Sequence, residues 1–358
     1  MCGPLIRTGG VSVHSNNLSK KLSEASVKII PYYFCKRNFN LSLLNNFSKI
    51  YGRTIGLLLE AIRLRKEYDI IHIQASGGIS SFISSVFGVI CSKICNKKLF
   101  VTFHYRASEK FVSNYKVVFR YVLKNTTVFF VVSKKQKEIL ENLIPSFNNI
   151  IVIPNGFDKN LFKILNKTDC RNKLQIPLDK KILLSVGNLL EEKGHKYLIE
   201  SMKYVVDVKP DVLCIIVGDG KLKNILEEQI KHEKLDDYFM LVGAKPHEEI
   251  PIWINACDLF VVPSLVESFG MVQVEAMACG KPIVATRNGG SEEIITSNDL
   301  GFLVEVADPL HLSQKILTSL DYKWDASKII NYAGKFTWDN VVSITIKIYR
   351  GTYSLKFL

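Results

Sequence analysis

Residues 258–293 read DLFVVPSLVESFGMVQVEAMACGKPIVATRNGGSEE, and the order of apolar runs and breaks in this stretch decides the fold. Leu259 to Val262 is an unbroken apolar run between Asp258 and Pro263-Ser264, the pattern of a parallel strand buried on both faces. Glu267 falls in the loop that follows, and Ser268-Phe269-Gly270 makes a polar, flexible turn. Met271 to Cys279 then has the composition of a helix stopped by Gly280 and Pro282. A second short strand, PIVAT, runs into the Gly289-Gly290 turn. Strand, loop and helix in this order put a helix N-terminus at the carboxyl edge of a parallel sheet, where phosphates bind.

Glu267 and Glu275 stand in this stretch with seven residues between them. One lies in the loop and the other about one turn into the helix, so both can address one ligand held over the helix N-terminus. A carboxylate there accepts two hydrogen bonds from vicinal hydroxyls such as those of a ribose, while the free amides of Phe269, Gly270, Met271 and Val272 face a diphosphate or a sugar. This is the chemistry of a nucleotide-sugar site. The same two residues would equally suit the solvent face of an amphipathic helix, although the small and apolar residues around them fit that reading less well.

The block E-SFGMVQV-E, followed by AMACGKPIVAT and by Gly289-Gly290 with Glu292 and Glu293, resembles the E-x7-E block of the retaining family-4 glycosyltransferases. The resemblance runs along nearly the whole chain. It implies the GT-B architecture: an α/β chain of two Rossmann-like, doubly wound parallel-sheet domains facing a cleft. Ser185 to Gly194, SVGNLLEEKG, is similar to the family's G-R-L-x-x-x-K-G, which makes Lys193 the phosphate lysine and sets Gly187 and Asn188 beside it. Asn188 departs from the usual arginine, replacing a charge-assisted hydrogen bond worth about 1.5–3 kcal/mol by a neutral one. By the same resemblance Gly243, Ala244 and Lys245 line the base, Gly9-Gly10 meets the donor diphosphate, and His104 lies beside the donor sugar.

Read on their own, these last residues say less. Gly9 and Gly10 form a turn ahead of the helical stretch VSVHSNNLSKKLSE, which suits phosphate approach but also a plain loop. His104 sits at the carboxyl end of the apolar run Leu99 to Phe103, where such sheets keep their chemistry, although a structural histidine would fit there too.

With 358 residues, 47% of them hydrophobic, the chain can bury two cores. Its net charge of +13 is uneven: residues 1–165 hold 24 Lys and Arg against 8 Asp and Glu, and the remainder 23 against 26. A basic first half favours an anionic partner, such as a phospholipid surface, a lipid-linked phosphate or an acidic polysaccharide, though a solvated lysine-rich face accounts for it as well. No basic run interleaved with aromatics suggests nucleic acid. Eight cysteines without a C-x-x-C, several in apolar runs, read as reduced thiols of a cytosolic protein, at most peripheral on the inner face of a membrane. Residues 70–92 carry no Lys, Arg, Asp or Glu, but their serines and glycines make them too polar for a membrane span. No D-x-D and no metal-spaced cluster occurs, so neither metal nor cofactor is expected.

In chain order, MCGPLIRTGG leaves room only for the tail of a first strand, as from a late start or a shortened strand. Val27 to Pro31 is expected as a strand, Phe47 to Tyr68 as a long helix, Ile70 to Gln74 as a strand and Ile79 to Ile94 as a helix. Val128 to Val132 and Ile150 to Ile153 are the next strands. The Lys/Asn-rich passage Lys163 to Lys181 is expected as a linker, after which strand and helix alternate. The closing FTWDNVVSITIKIYRGTY is a helix that, by the resemblance, returns to the first domain. The expected domains are therefore residues 1–162 with 342–358, binding acceptor, and residues 163–341, binding the nucleotide sugar. The reaction implied is metal-independent transfer of a sugar from a nucleoside-diphosphate sugar to a glycan or lipid-linked acceptor with retention. A sugar phosphorylase and a non-catalytic nucleotide-sugar-binding protein are the alternatives; Asn188 and the short N-terminus motivate the second.

Overall fold

The computed structural model describes residues 2–3, 10–33, 48–75, 78–104 and 109–351. The chain divides into two compact units, residues 1–156 with 338–358, and residues 157–337.

The first unit holds a six-stranded, all-parallel sheet: β1 (Cys2–Gly3), β2 (Tyr32–Tyr33), β3 (Ile70–Ala75), β4 (Lys98–Phe103), β5 (Val128–Val131) and β6 (Ile150–Val152). Their order is β2-β1-β3-β4-β5-β6. Side chains alternate across the sheet with period two. Ile71, Ile73, Leu99, Val101, Phe103, Phe129 and Val131 enter a core on one face. Phe100, Phe130 and Ile151 enter one on the other, with Leu18 and Leu22 of helix Gly10–Glu24 and Trp338, Val341 and Val342 of helix Trp338–Tyr349.

A second parallel sheet builds residues 157–337 from β7 (Lys181–Val186), β8 (Val212–Val217), β9 (Phe239–Leu241), β10 (Leu259–Val262), β11 (Ile283–Thr286) and β12 (Gly301–Val304). Its order, β12-β11-β10-β7-β8-β9, reverses direction between β10 and β7. Ligands of open α/β sheets bind at such a reversal, because the connections on either side leave in opposite directions and open a crevice. Among the described residues, no helix is long and apolar enough to cross a membrane.

Several local expectations are corrected. Val27 to Pro31 is irregular, with Val27 and Ile29 packing on the core as loop residues, and the strand is Tyr32–Tyr33. Within the long helix, where residue 47 lies outside the description, Gly52–Gly56 forms a π-helical turn before helix Leu57–Arg63. Tyr32 donates its hydroxyl hydrogen to the Gly52 carbonyl at 2.8 Å, and a Cβ on Gly56 would lie 2.8 Å from the same hydroxyl oxygen. The side chain of β2 thus takes up space beside the helix and a carbonyl in it, a recognised cause of such widening.

The passage 163–181 is no linker but part of the second unit. Asn166 caps helix Lys167–Leu174 by accepting from the Asp169 amide at 3.0 Å. From that helix the buried Arg171 reaches Asp258 (Nη2–Oδ2 2.7 Å) and the carbonyls of Ala256, Leu178 and Lys180 at 2.9, 3.0 and 3.1 Å. The unit boundary accordingly falls at Phe157, earlier than position 163. Phe157 and Phe162 are buried in the second core, and the Phe157 amide donates to the Phe336 carbonyl at 3.0 Å. At the other junction Trp338 begins the helix that closes the first unit, so that unit resumes before position 342. A Cβ on Gly156 would lie 2.6 Å from its indole.

Asp258 also accepts from Lys167 and, at 2.7 Å, from the Ile182 amide. Burial works to raise its carboxyl pKa, but the hydrogen bonds and charges of Lys167, Ile182 and Arg171 outweigh it and hold it below the usual carboxylate range. Asp258→Ala would strand the Arg171 guanidinium inside the unit. It is expected to cost about 3–5 kcal/mol, read from urea denaturation, whereas Lys167→Ala on the exposed side should cost less than about 1 kcal/mol.

Candidate functional site

At the reversal between β7 and β10, the chain leaving β7 passes Gly187 and the exposed Asn188 and makes a 3-10 turn, Glu191–Lys193. Gly194 closes that turn at φ +65°, where a Cβ would fall 2.1 Å from the Pro263 carbonyl oxygen. Glycine is therefore needed both for the left-handed backbone and for the close approach to the end of β10. The Leu265 amide donates to the Glu192 carbonyl at 2.8 Å, joining the two loops. Across this junction Lys193 Nζ meets Glu267 Oε1 at 2.5 Å, and the Ser264 hydroxyl donates to the same oxygen at 3.0 Å. Glu267 is anchored through its own amide to the Asn288 carbonyl at 3.0 Å. Buried Asn288 in turn accepts at Oδ1 from the amides of Gly290 and Ser291 at 3.0 and 2.9 Å.

Glu275 lies in helix Met271–Ala278, one turn from its start, and is buried. Its Oε1 meets His247 Nε2 at 3.1 Å. That hydrogen bond, and then the carboxylate charge, raise the His247 pKa against the opposing effect of burial. Gly270, at φ +89°, turns the chain into the helix, whose opening amides have no carbonyl partner within it. The Phe269 ring is buried in the core and packs on Phe336 with ring centroids 5.6 Å apart, so its contribution at this edge is its backbone. Met271 and Val272 are half-buried beside it.

After β9, Gly243 adopts φ +74° and its carbonyl accepts from the Gly218 amide at 3.0 Å. Ala244 is exposed, and the Lys245 ammonium lies 5.7 Å from the Trp253 ring centroid. The structure thus places Gly187, Asn188, Lys193, Glu267 and the 269–275 segment around the strand reversal, joining Lys193 to Glu267 and Glu275 to His247. Among the described residues, no group of three or more His, Cys, Asp or Glu is placed to hold a metal ion.

In the first unit, His104 directly follows β4 and its amide donates to the Ala75 carbonyl at 2.9 Å. Its Nε2 lies 2.7 Å from Gln74 Oε1, and its ring meets the buried His14 edge-on with centroids 4.5 Å apart. Burial lowers the pKa of His104 to about 4, that of the neighbouring His72 to about 3, and that of His14 well below the ordinary histidine range. Of the glycine turn ahead of His14, Gly10 is the first residue of helix Gly10–Glu24, and Gly9 lies outside the described residues.

Sequence reasoning missed His247, Ser264 and Asn288. Ser264 and Asn288 lie in the loops after β10 and β11, and His247 precedes helix Ile250–Ala256. Their roles come from pairings with Glu267 and Glu275 that no spacing encodes.

Comparison with known proteins places both units. The description Glycosyl transferases group 1 fits residues 166–336, and Glycosyltransferase Family 4 fits residues 8–161. The chain is 30% identical over 275 residues to the Escherichia coli UDP-Gal:alpha-D-GlcNAc-diphosphoundecaprenol alpha-1,3-galactosyltransferase, covering 75% of this chain and 70% of that one. It is 29% identical over 355 residues to an uncharacterised glycosyltransferase of Methanocaldococcus jannaschii, covering 95% and 94%. In fold it is similar to a glycosyltransferase of Rickettsia africae (TM-score 0.77, 24% identity, 100% and 98% covered). It is likewise similar to Anabaena HepE in complex with UDP (TM-score 0.77, 22% identity, 98% of each chain).

The histidines titrate with opposite consequences. His14, His72 and His104 have lowered folded pKa values, so their contribution is complete above about pH 6.5, the unfolded value, and is lost as pH falls below it, through about 4 for His104 and about 3 for His72. His247 has a raised folded value, so its pairing contributes fully below about pH 6.5 and is lost as pH rises through the folded pKa. Segment-resolved hydrogen exchange, corrected for intrinsic rates, should show β3 and β4 losing protection between pH 6.5 and 4. Glu275→Gln should remove most of the upward shift of His247 in NMR titration, leaving the smaller effect of Glu248.

Proposed function

Because the chain belongs to the glycosyltransferases of group 1 and family 4, we propose that it moves a sugar from a nucleoside-diphosphate sugar to a glycan or lipid-linked acceptor, without a metal and with retention. The observation that carries this reading is the Lys193–Glu267 pair at the strand reversal, beside the helix that bears Glu275. Breaking the glycosidic bond concentrates negative charge on the departing diphosphate. The Lys193 ammonium and the opening amides of helix Met271–Ala278 supply preorganised positive charge for it.

In this reading Glu275 accepts hydrogen bonds from the ribose hydroxyls, and Glu267 addresses the donor sugar and holds Lys193 in place. Gly243, Ala244 and Lys245 border the base, and Gly9 and Gly10 approach the diphosphate. His104, neutral at physiological pH, contacts the transferred sugar. The bond from the sugar's anomeric carbon to the diphosphate oxygen breaks as the acceptor hydroxyl oxygen bonds to that carbon from the same face. The hydroxyl proton passes to the departing phosphate oxygen, which requires no protein nucleophile and preserves the anomeric configuration.

Acceptor chemistry is proposed from charge. The first unit, residues 1–156 with 338–358, carries 25 Lys and Arg against 8 Asp and Glu, and the second 22 against 26. Such a field suits a phosphate-bearing acceptor, free or at the inner surface of a membrane. The E. coli relative bears the name of an enzyme acting on a diphosphoundecaprenol-linked sugar.

A thermal-shift panel of UDP-, GDP-, ADP- and dTDP-sugars tests the donor side. A ligand at 100 times its Kd adds about 2.7 kcal/mol, a rise of several degrees, and Glu275→Ala should abolish it for the class that binds. No rise with any class in a cooperatively melting protein would overturn the reading. Lys193→Ala should lower kcat about 10²- to 10³-fold, and EDTA should leave turnover unchanged. Binding to anionic vesicles that disappears at high salt is the outcome expected for a membrane-held acceptor.

A further inference from the structure

The polar residues of β3 and β4 form a chain that ends on His104. His72 and Gln74 lie two apart on β3, Thr102 and His104 lie two apart at the end of β4, and Gln74 pairs in register with Thr102. Period two therefore sends all four side chains to one face of the sheet, the face of Phe100, Phe130 and Ile151 against which Trp338 packs. His72, Gln74 and Thr102 are each more than nine-tenths buried. Four polar side chains in such a place are costly unless each finds a partner, and here they partner one another.

The direction of each bond follows from how the Gln74 amide is turned, its carbonyl oxygen toward His104 and its nitrogen toward His72. Gln74 Oε1 can only accept, so His104 Nε2, 2.7 Å away, must carry the hydrogen. The Gln74 amide nitrogen can only donate, so His72 Nε2 at 3.1 Å must be an acceptor. The Thr102 hydroxyl, 2.7 Å from that nitrogen, shares the nitrogen's single lone pair with the amide. The His72 hydrogen then sits on Nδ1, which donates to the Tyr349 hydroxyl oxygen at 2.5 Å. The His14 ring closes the edge of His104 and is itself backed by Trp338, with centroids 5.0 Å apart. Among the described residues, His104 Nδ1 makes no hydrogen bond.

We propose that Gln74 and His72 are positioning residues that hold His104 as the Nε2–H tautomer, leaving Nδ1 as a fixed acceptor for a hydroxyl of the transferred sugar. The second half of this proposal rests on the reading of His104 as a sugar contact; the first half does not. Because one amide must serve both rings, the two histidines are coupled. His104 cannot move its hydrogen to Nδ1 unless Gln74 turns over and His72 moves its own hydrogen to Nε2. A ring fixed in this way meets the substrate with no tautomer to select and no rotation to freeze.

The test is histidine-selective 15N NMR on the full chain, with resonances assigned by His104→Gln and His72→Gln. The wild type should show His104 with a protonated Nε2 and an imine-like Nδ1, and His72 with the reverse. A protonated Nδ1 on His104 would overturn the proposal without any variant or substrate. Gln74→Leu removes the acceptor and should bring His104 to a mixture of tautomers, whereas Gln74→Glu keeps an acceptor oxygen and should retain Nε2–H. An unchanged single tautomer in Gln74→Leu would equally overturn it. With the nucleotide sugar that gives the largest thermal shift, Gln74→Leu should lower kcat by about 10²-fold with a smaller change in donor KM, and Gln74→Glu should recover most of it. Full kcat in Gln74→Leu would remove the sugar-contact half. Absence of turnover in the wild type would count against the proposed function, while the tautomer result would still stand on its own.

Discussion

Leu259 and Phe260 of β10 pair with Leu183 and Leu184 of β7, although the two strands lie some seventy residues apart in sequence. A parallel strand needs cover on both faces, so each connection must cross the sheet as a helix before the next strand can pair. Between β7 and β10 these crossovers change direction. Lys193 and Glu267 can form an ion pair only because of this, since neither is near the other along the chain. The pairing also sets the requirement at Gly194, where any side chain would collide with the end of β10.

The two units use histidine in opposite electrostatic ways. In the second, His247 stands at the surface against a buried carboxylate and is drawn toward its charged form. In the first, His14, His72 and His104 are packed among aromatic rings and one another, where a proton would have to be taken up without a counter-charge beside it. One arrangement favours the charged imidazole and the other the neutral one.

Much of this was legible in the sequence because parallel sheets write themselves plainly. Apolar runs such as Leu99 to Phe103 and Leu259 to Val262 became strands at almost those bounds, and Gly270 with Gly280 framed the Glu275 helix. What was not legible involves partners distant in the chain. Arg171 sat in a passage rich in Lys and Asn that reads as a linker, and nothing local shows that its guanidinium would enter the core to meet Asp258. The π turn at Gly52–Gly56 depends on Tyr32 from another element. The histidine chain left a trace in the alternation I-H-I-Q of β3, two polar residues on one face of a buried strand. Its meaning appears only once Thr102 and His104 stand beside it.

The return of the chain to its first unit has a consequence for how the protein is made. Phe100, Phe130 and Ile151 are covered by helix Trp338–Tyr349, which leaves the ribosome after the whole of the second unit. Through most of synthesis that apolar face lacks its final cover, while residues 157–337 emerge as an uninterrupted segment with a core of their own. The unit that begins first is therefore completed last, and until then its open face is the part of the nascent chain most in need of protection by a chaperone.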